Sequence, residues 1–129
     1  MEKEYYTRTK IYPIMHTVVI RRDVYERNPW VALNLYQALC AAKDACYRSI
    51  SDAGSPKASF AWLQPMIEEE KRIIGEDWYP YGIEKNRPTL EALLQYTHEH
   101  GLTDRRMKIE DIFAPSTMRD IPLGDGQHV

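Results

Sequence analysis

Ile14-Met15-His16-Thr17-Val18-Val19-Ile20 is the stretch on which the reading of this chain turns. It carries no formally charged residue, and its second half is rich in β-branched side chains, which suit a pleated backbone. Such a run fits a strand covered on both faces, as in a parallel or mixed sheet. Pro13, just ahead of it, is tolerated at a strand's first position but would forfeit a ladder bond further in. No other run in the 129 residues reads as well as a strand. One strand cannot make a sheet. The expectation is that the sheet is borrowed from a partner, or that this chain is the trailing part of a longer protein.

Upstream of that run, residues 1–12 are charged and tyrosine-rich without periodicity, and read as an arm or linker. Downstream, Asp23 reads as the cap of a short helical turn that stops before Pro29, because a residue preceding proline is steered away from helical backbone. Asn28-Pro29 then opens a long helix from Trp30 to about Ser49. Its stripe is Leu35, Leu39, Ala42, Cys46 and Ile50, broadened by Leu33, Tyr36, Cys40 and Tyr47. A turn cluster spans Ser51 to Pro56. A second helix is predicted over Ser59–Ile74, kinked or restarted at Pro65 and stopped by Gly75. A third runs from a cap at Asn86 through Leu90, Leu93, Leu94 and Thr97 to His100-Gly101. One short turn is expected at Glu110–Phe113, and residues 116–129 read as a flexible tail. The expected class is mostly α with one or two β-strands (α+β for the chain alone), in a single domain over residues 13–115.

Seventeen basic residues against nineteen acidic ones leave a formal charge of -2, with the basic side chains scattered. Such a balance argues against a nucleic-acid platform or an anionic membrane surface as partner. No apolar run approaches the ~20 residues that span a bilayer, and Met1–Lys10 lacks the apolar core of a signal peptide. The chain therefore reads as cytoplasmic. Cys40 and Cys46 lie about 9 Å apart along a helix, too far for a disulfide in regular geometry, and read as two buried thiols. His98 and His100 point to different sides of a helix and form no zinc motif with Glu99. No cofactor is called for, and a divalent metal is left open.

Three blocks carry a resemblance. Pro13 to Ala32, Trp78 to Leu102 and Asp111 to Pro115 are similar to the C-terminal part of the 4,5-dihydroxyphthalate decarboxylase family, in the same order and at matching spacing. The resemblance implies a type II periplasmic-binding-protein-like α/β fold, in which two lobes face each other across a cleft. There a strand returns from the second lobe to the first, and helices then complete the first lobe. Pro13–Ile20 would be that returning strand. The implied activity is non-oxidative decarboxylation of an aromatic dicarboxylate, with this chain as the C-terminal portion of the enzyme and inactive alone.

That chemistry needs a group to hold the carboxylate and a proton for the ring carbon that loses carbon dioxide. Arginine suits the first through its planar fork of donors. Histidine suits the second, since its ordinary pKa, roughly 6.5, lets it carry and release a proton near neutrality. His16, near the strand's start and sharing a face with Ile14 and Val18, is the candidate proton donor or phenol partner; a structural histidine is the plain alternative. Arg21, Arg22 and Arg87 are candidate carboxylate holders, each with a solvated or ion-paired alternative. Trp78, Tyr79 and Tyr81 could stack on an aromatic ring or simply pack their loop down. The implied partners are an aromatic carboxylate and either a second copy or the missing N-terminal portion. A solute-binding module without catalysis is the rival reading, because the same bilobal fold serves both.

Overall fold

Helices account for most of residues 1–52, 54 and 60–118, which are the residues the computed structural model describes. They are α1 (Glu2–Thr9), α2 (Arg22–Arg27), α3 (Trp30–Ser51), α4 (Leu63–Ile74), α5 (Ile83–Glu99) and α6 (Ile109–Ile112), followed by a 3-10 turn at Pro115–Thr117. The molecule is mostly helical, as expected. The expected strand is not: residues 10–21 form neither helix nor strand, and no strand occurs among the described residues. A strand exists only against a neighbour about 4.8 Å away that pairs with its backbone, and no described segment offers one. The tail from residue 119 and the predicted helix start at Ser59 lie outside the described residues, as do parts of the Ser51–Pro56 turn cluster.

Several helix limits differ from expectation for local reasons. The N-terminal stretch holds α1, which buries none of its residues. In α2 Asp23 is not the cap but lies inside the first turn, where Arg21 and Arg27 both donate to its carboxylate. Helix α5 begins at Ile83, three residues ahead of Asn86. Asn86 is thus not its cap. Its side-chain amide instead donates to the carbonyls of Pro80 and Gly82, each at 2.9 Å, tying the entering loop to the first turn.

Packing selects a different face of α3 from the one its leucines suggest. Ala32 and Cys40 are buried, with Tyr36, Lys43 and Tyr47 half-buried between and beyond them, a spacing of three and four that makes one stripe. Leu35, Ala42 and Cys46 are exposed, so only one of the two thiols is buried. The principal core gathers Ile83, Leu90 and Leu94 from α5 with Ile109 from α6, and Ile14, Met107, Phe113 and Met118 pack around it. Each such side chain contributes about 2 kcal/mol through area withdrawn from water. This core is small, and no large side chain is sealed off completely. No described helix is long and apolar enough to cross a membrane.

The loop between α4 and α5 is delimited by Gly75 (φ 119°) and Gly82 (φ 98°, ψ 162°). The Gly82 conformation belongs to a region that side chains with a Cβ essentially never enter, at a typical cost of about 1–3 kcal/mol. Gly82→Ala is therefore expected to lower the urea midpoint by an amount corresponding to about 1–3 kcal/mol. An unchanged midpoint would mean that the loop adopts another path without loss.

Candidate functional site

Between those glycines, residues 76–81 lie down on α3 through one ionic and aromatic cluster. Lys43, on the inward face of α3, sends its ammonium to Asp77 Oδ1 at 2.5 Å and is only 11% exposed at the side chain. Lys85, from the first turn of α5, reaches Asp77 Oδ2 at 3.0 Å. Tyr47, one turn after Lys43, donates its hydroxyl to Asp77 Oδ1 (3.1 Å) and accepts the Tyr79 backbone N–H (2.7 Å). Its ring stacks on Trp78, with centroids 3.9 Å apart and planes 14° apart. The Lys43 ammonium also faces the rings of Tyr47 and Tyr81, at 5.2 and 5.1 Å.

The electrostatics follow from this geometry. Burial raises Asp77, but the hydrogen bonds from Lys43 and Lys85 outweigh it and hold the carboxyl below its usual range. Burial pushes the Tyr47 phenol well above the ordinary tyrosine value, helped by the neighbouring Asp77 charge, while the Tyr79 N–H pulls the other way. Both Asp77 oxygens, the Lys43 ammonium and the Tyr47 hydroxyl are thus satisfied. One face of Trp78 is covered by Tyr47, and the Lys71 ammonium lies over its ring at 5.5 Å. The ring most available to a ligand is exposed Tyr79, which meets Tyr81 edge-on at 6.3 Å. The structure therefore brings Trp78, Tyr79 and Tyr81 together as a preorganised aromatic ledge.

His16, Arg21 and Arg22 share no hydrogen bond, ion pair or ring contact with that ledge among the described residues. Arg21 is engaged by the Asp23 carboxylate through two hydrogen bonds of 2.7 and 2.6 Å. His16 and Arg22 are exposed, and neither has a hydrogen-bond or ionic partner among the described residues. Of the two adjacent arginines, Arg22 is the one left available to an anion.

Arg87 occupies a third place. It pairs with Glu84 (2.7 Å) and, more loosely, with Glu91 (3.7 Å) on the same helix. It also lines a groove of about 190 Å³ between α5 and the segment leading into α6. Leu94, Met107 and Ile109 make apolar walls there, Glu91 and Glu110 add carboxylates, and of the cationic side chains Arg106 has no ionic partner among the described residues while the Lys108 charge helps hold the Asp111 carboxyl low. The spacing of residues could not reveal Arg106 and Lys108, which lie in an irregular segment. Nor could it single out Lys43, Tyr47, Asp77 and Lys85, although an inward-facing lysine on an apolar stripe is a signal in its own right. No group of three or more metal-ligating side chains gathers among the described residues.

No protein-family model matches the chain. It is similar to 4,5-dihydroxyphthalate decarboxylase of Comamonas testosteroni, with 28% identity over 120 residues, 93% of this chain. Those residues cover 36% of the relative, so the chain spans about a third of its length.

Proposed function

We propose that this chain forms part of an enzyme that decarboxylates an aromatic dicarboxylate of the 4,5-dihydroxyphthalate kind, within a two-lobed, periplasmic-binding-protein-like fold. The observation that carries the reading is the decarboxylase likeness, which runs through 93% of the chain rather than through one motif. The side chains available for chemistry support it. His16 is exposed to solvent with no side-chain partner among the described residues, so its role is read as delivering the proton to the ring carbon. Arg22, six residues further along the chain, has no ionic partner among the described residues and offers a bidentate fork for a carboxylate. The aromatic ledge and the groove at Arg87 supply ring and carboxylate contacts on the same helical scaffold.

The test is a chimaera in which this chain replaces the matching 36% of the Comamonas testosteroni enzyme. Folding is verified by circular dichroism and gel filtration, and carbon dioxide release from 4,5-dihydroxyphthalate is measured. The chimaera is expected to turn over and the isolated chain to show little or no turnover. A folded chimaera that binds the substrate without releasing carbon dioxide would replace this reading with a solute-binding one. One that neither binds nor reacts would remove both.

A further inference from the structure

The groove between α5 and the segment leading into α6 has a fixed floor and a fixed lip. Its apolar walls are Leu94 and Ile109, both buried in the principal core, and Met107, which packs against that core. The lip, residues 105–108, is held by Asp111. Its Oδ2 accepts from the Arg105 guanidinium at 2.9 Å and from the Lys108 backbone N–H at 3.0 Å. The groove measures about 190 Å³, and an apolar cavity of about 150 Å³ already takes a benzene ring. There is room for a single ring with a small substituent.

The charges that line this groove are not equivalent. Arg87 is committed: Glu84 holds it at 2.7 Å, Glu91 lies at 3.7 Å, and the Glu110 charge acts on it as well. The Lys108 charge is directed in part at Asp111. Arg106 has no ionic or hydrogen-bonding partner among the described residues. Its planar fork of donors matches one carboxylate through two parallel hydrogen bonds. Glu91 and Glu110 line the same groove. A second carboxylate on the ring would enter a space where the other cations already face carboxylates and where two glutamates repel it. Such repulsion sets specificity as effectively as attraction does.

We infer that this groove is a binding site for a ring-sized monocarboxylate, with Arg106 holding the carboxylate, the apolar walls taking the ring, and Glu91 and Glu110 turning a dicarboxylate away. The site stands on the geometry, whereas its natural ligand rests on the decarboxylase reading. In that reaction one bond between ring and carboxylate breaks and carbon dioxide leaves. The electron pair stays on the ring carbon, which takes up a proton. The product then carries one carboxylate where the substrate had two. The groove's carboxylate contact is thus made to the product, and it is made by Arg106 rather than Arg87.

Titration of the chain with benzoate and with phthalate, followed by amide chemical shifts near neutral pH, where both phthalate carboxyls are ionised, tests this. Benzoate is expected to bind in the millimolar range and phthalate at least about tenfold more weakly, with the shifts centred on Leu94, Met107 and Ile109. Arg106→Gln should weaken benzoate at least about tenfold, and Arg22→Ala should leave it unchanged. Glu110→Gln should narrow the gap between the two ligands by admitting the second carboxylate. The side chains at 106 and 110 are exposed, so both variants are expected to keep the helical signal. Equal affinity for phthalate, unchanged benzoate binding by Arg106→Gln, or shifts centred on Tyr79 and Tyr81 would each overturn the inference. So would the absence of any benzoate shift up to about 50 mM. Benzoate binding beside an inactive chimaera would remove the decarboxylase reading and leave the monocarboxylate site standing. An active chimaera without benzoate binding would do the reverse.

Discussion

Replacing His16 by asparagine in the folded chimaera is expected to lower turnover of 4,5-dihydroxyphthalate by about 100- to 10,000-fold, the usual loss when a positioned proton donor is removed. The Michaelis constant should change far less, because the histidine is assigned to proton delivery and not to holding the carboxylate. The structure makes this a clean substitution. His16 is exposed and has no hydrogen-bonding partner among the described residues, so its loss should not destabilise the isolated chain beyond about 0.5 kcal/mol. Arg22→Ala should show the opposite split, with weaker binding and a smaller loss of turnover. Near-parental turnover by the His16 variant would take it out of the proton path.

Asp77→Ala is expected to cost about 3 kcal/mol of folding stability, toward the lower end for breaking a buried pair, because part of the Asp77 side chain stays wet. The loss strands the Lys43 ammonium between two tyrosine rings and deprives the Tyr47 hydroxyl of its acceptor. Lys85→Ala should cost less than about 1 kcal/mol, since that lysine is half-exposed and Lys43 keeps Asp77 paired. Urea unfolding followed by near-ultraviolet circular dichroism would rank the variants, because Trp78 leaves its stack on Tyr47 as the loop lifts. Equal midpoints for the two variants would show that Asp77 is not the centre of the clamp. The pH dependence carries the same sign. Asp77 is held below its unfolded value, so its contribution is present above about pH 4 and is lost as pH falls through the lower folded value. Wild type should therefore lose more stability than Asp77→Asn between pH 5 and pH 2.

Helix existence was legible in the residues, whereas helix faces were less so. Pro29 ahead of an alanine-rich run and Gly75 after Ile74 mark limits through backbone geometry that any surroundings would respect, and α3 begins and α4 ends beside them. The Asn86 cap failed because asparagine serves equally well from inside a first turn, reaching back to Pro80 and Gly82. On α3 two candidate stripes were available, and the neighbours determined which one turned inward. Lys43 and Tyr47 lie on the buried stripe because Asp77 and Trp78 come to meet them.

The candidate site divides along the same line. The wish of Ile14–Ile20 for a sheet is written in its side chains, since β-branching and the lack of charge are local properties. Whether it pairs is not local, and within the described residues nothing pairs with it. The aromatic character of residues 78–81 was likewise plain, but their grouping with Lys43, Tyr47 and Asp77 depends on contacts 30 to 34 positions apart in the chain. The same holds for the two arginines at 21 and 22. Composition cannot tell them apart, and it is the fold of α2, presenting Asp23 to Arg21, that engages one and leaves the other open to solvent. Short-range steric preference acts on neighbours along the chain and survives in any context. Pairing, burial and charge neutralisation act between segments, and take their values only once the helices have docked.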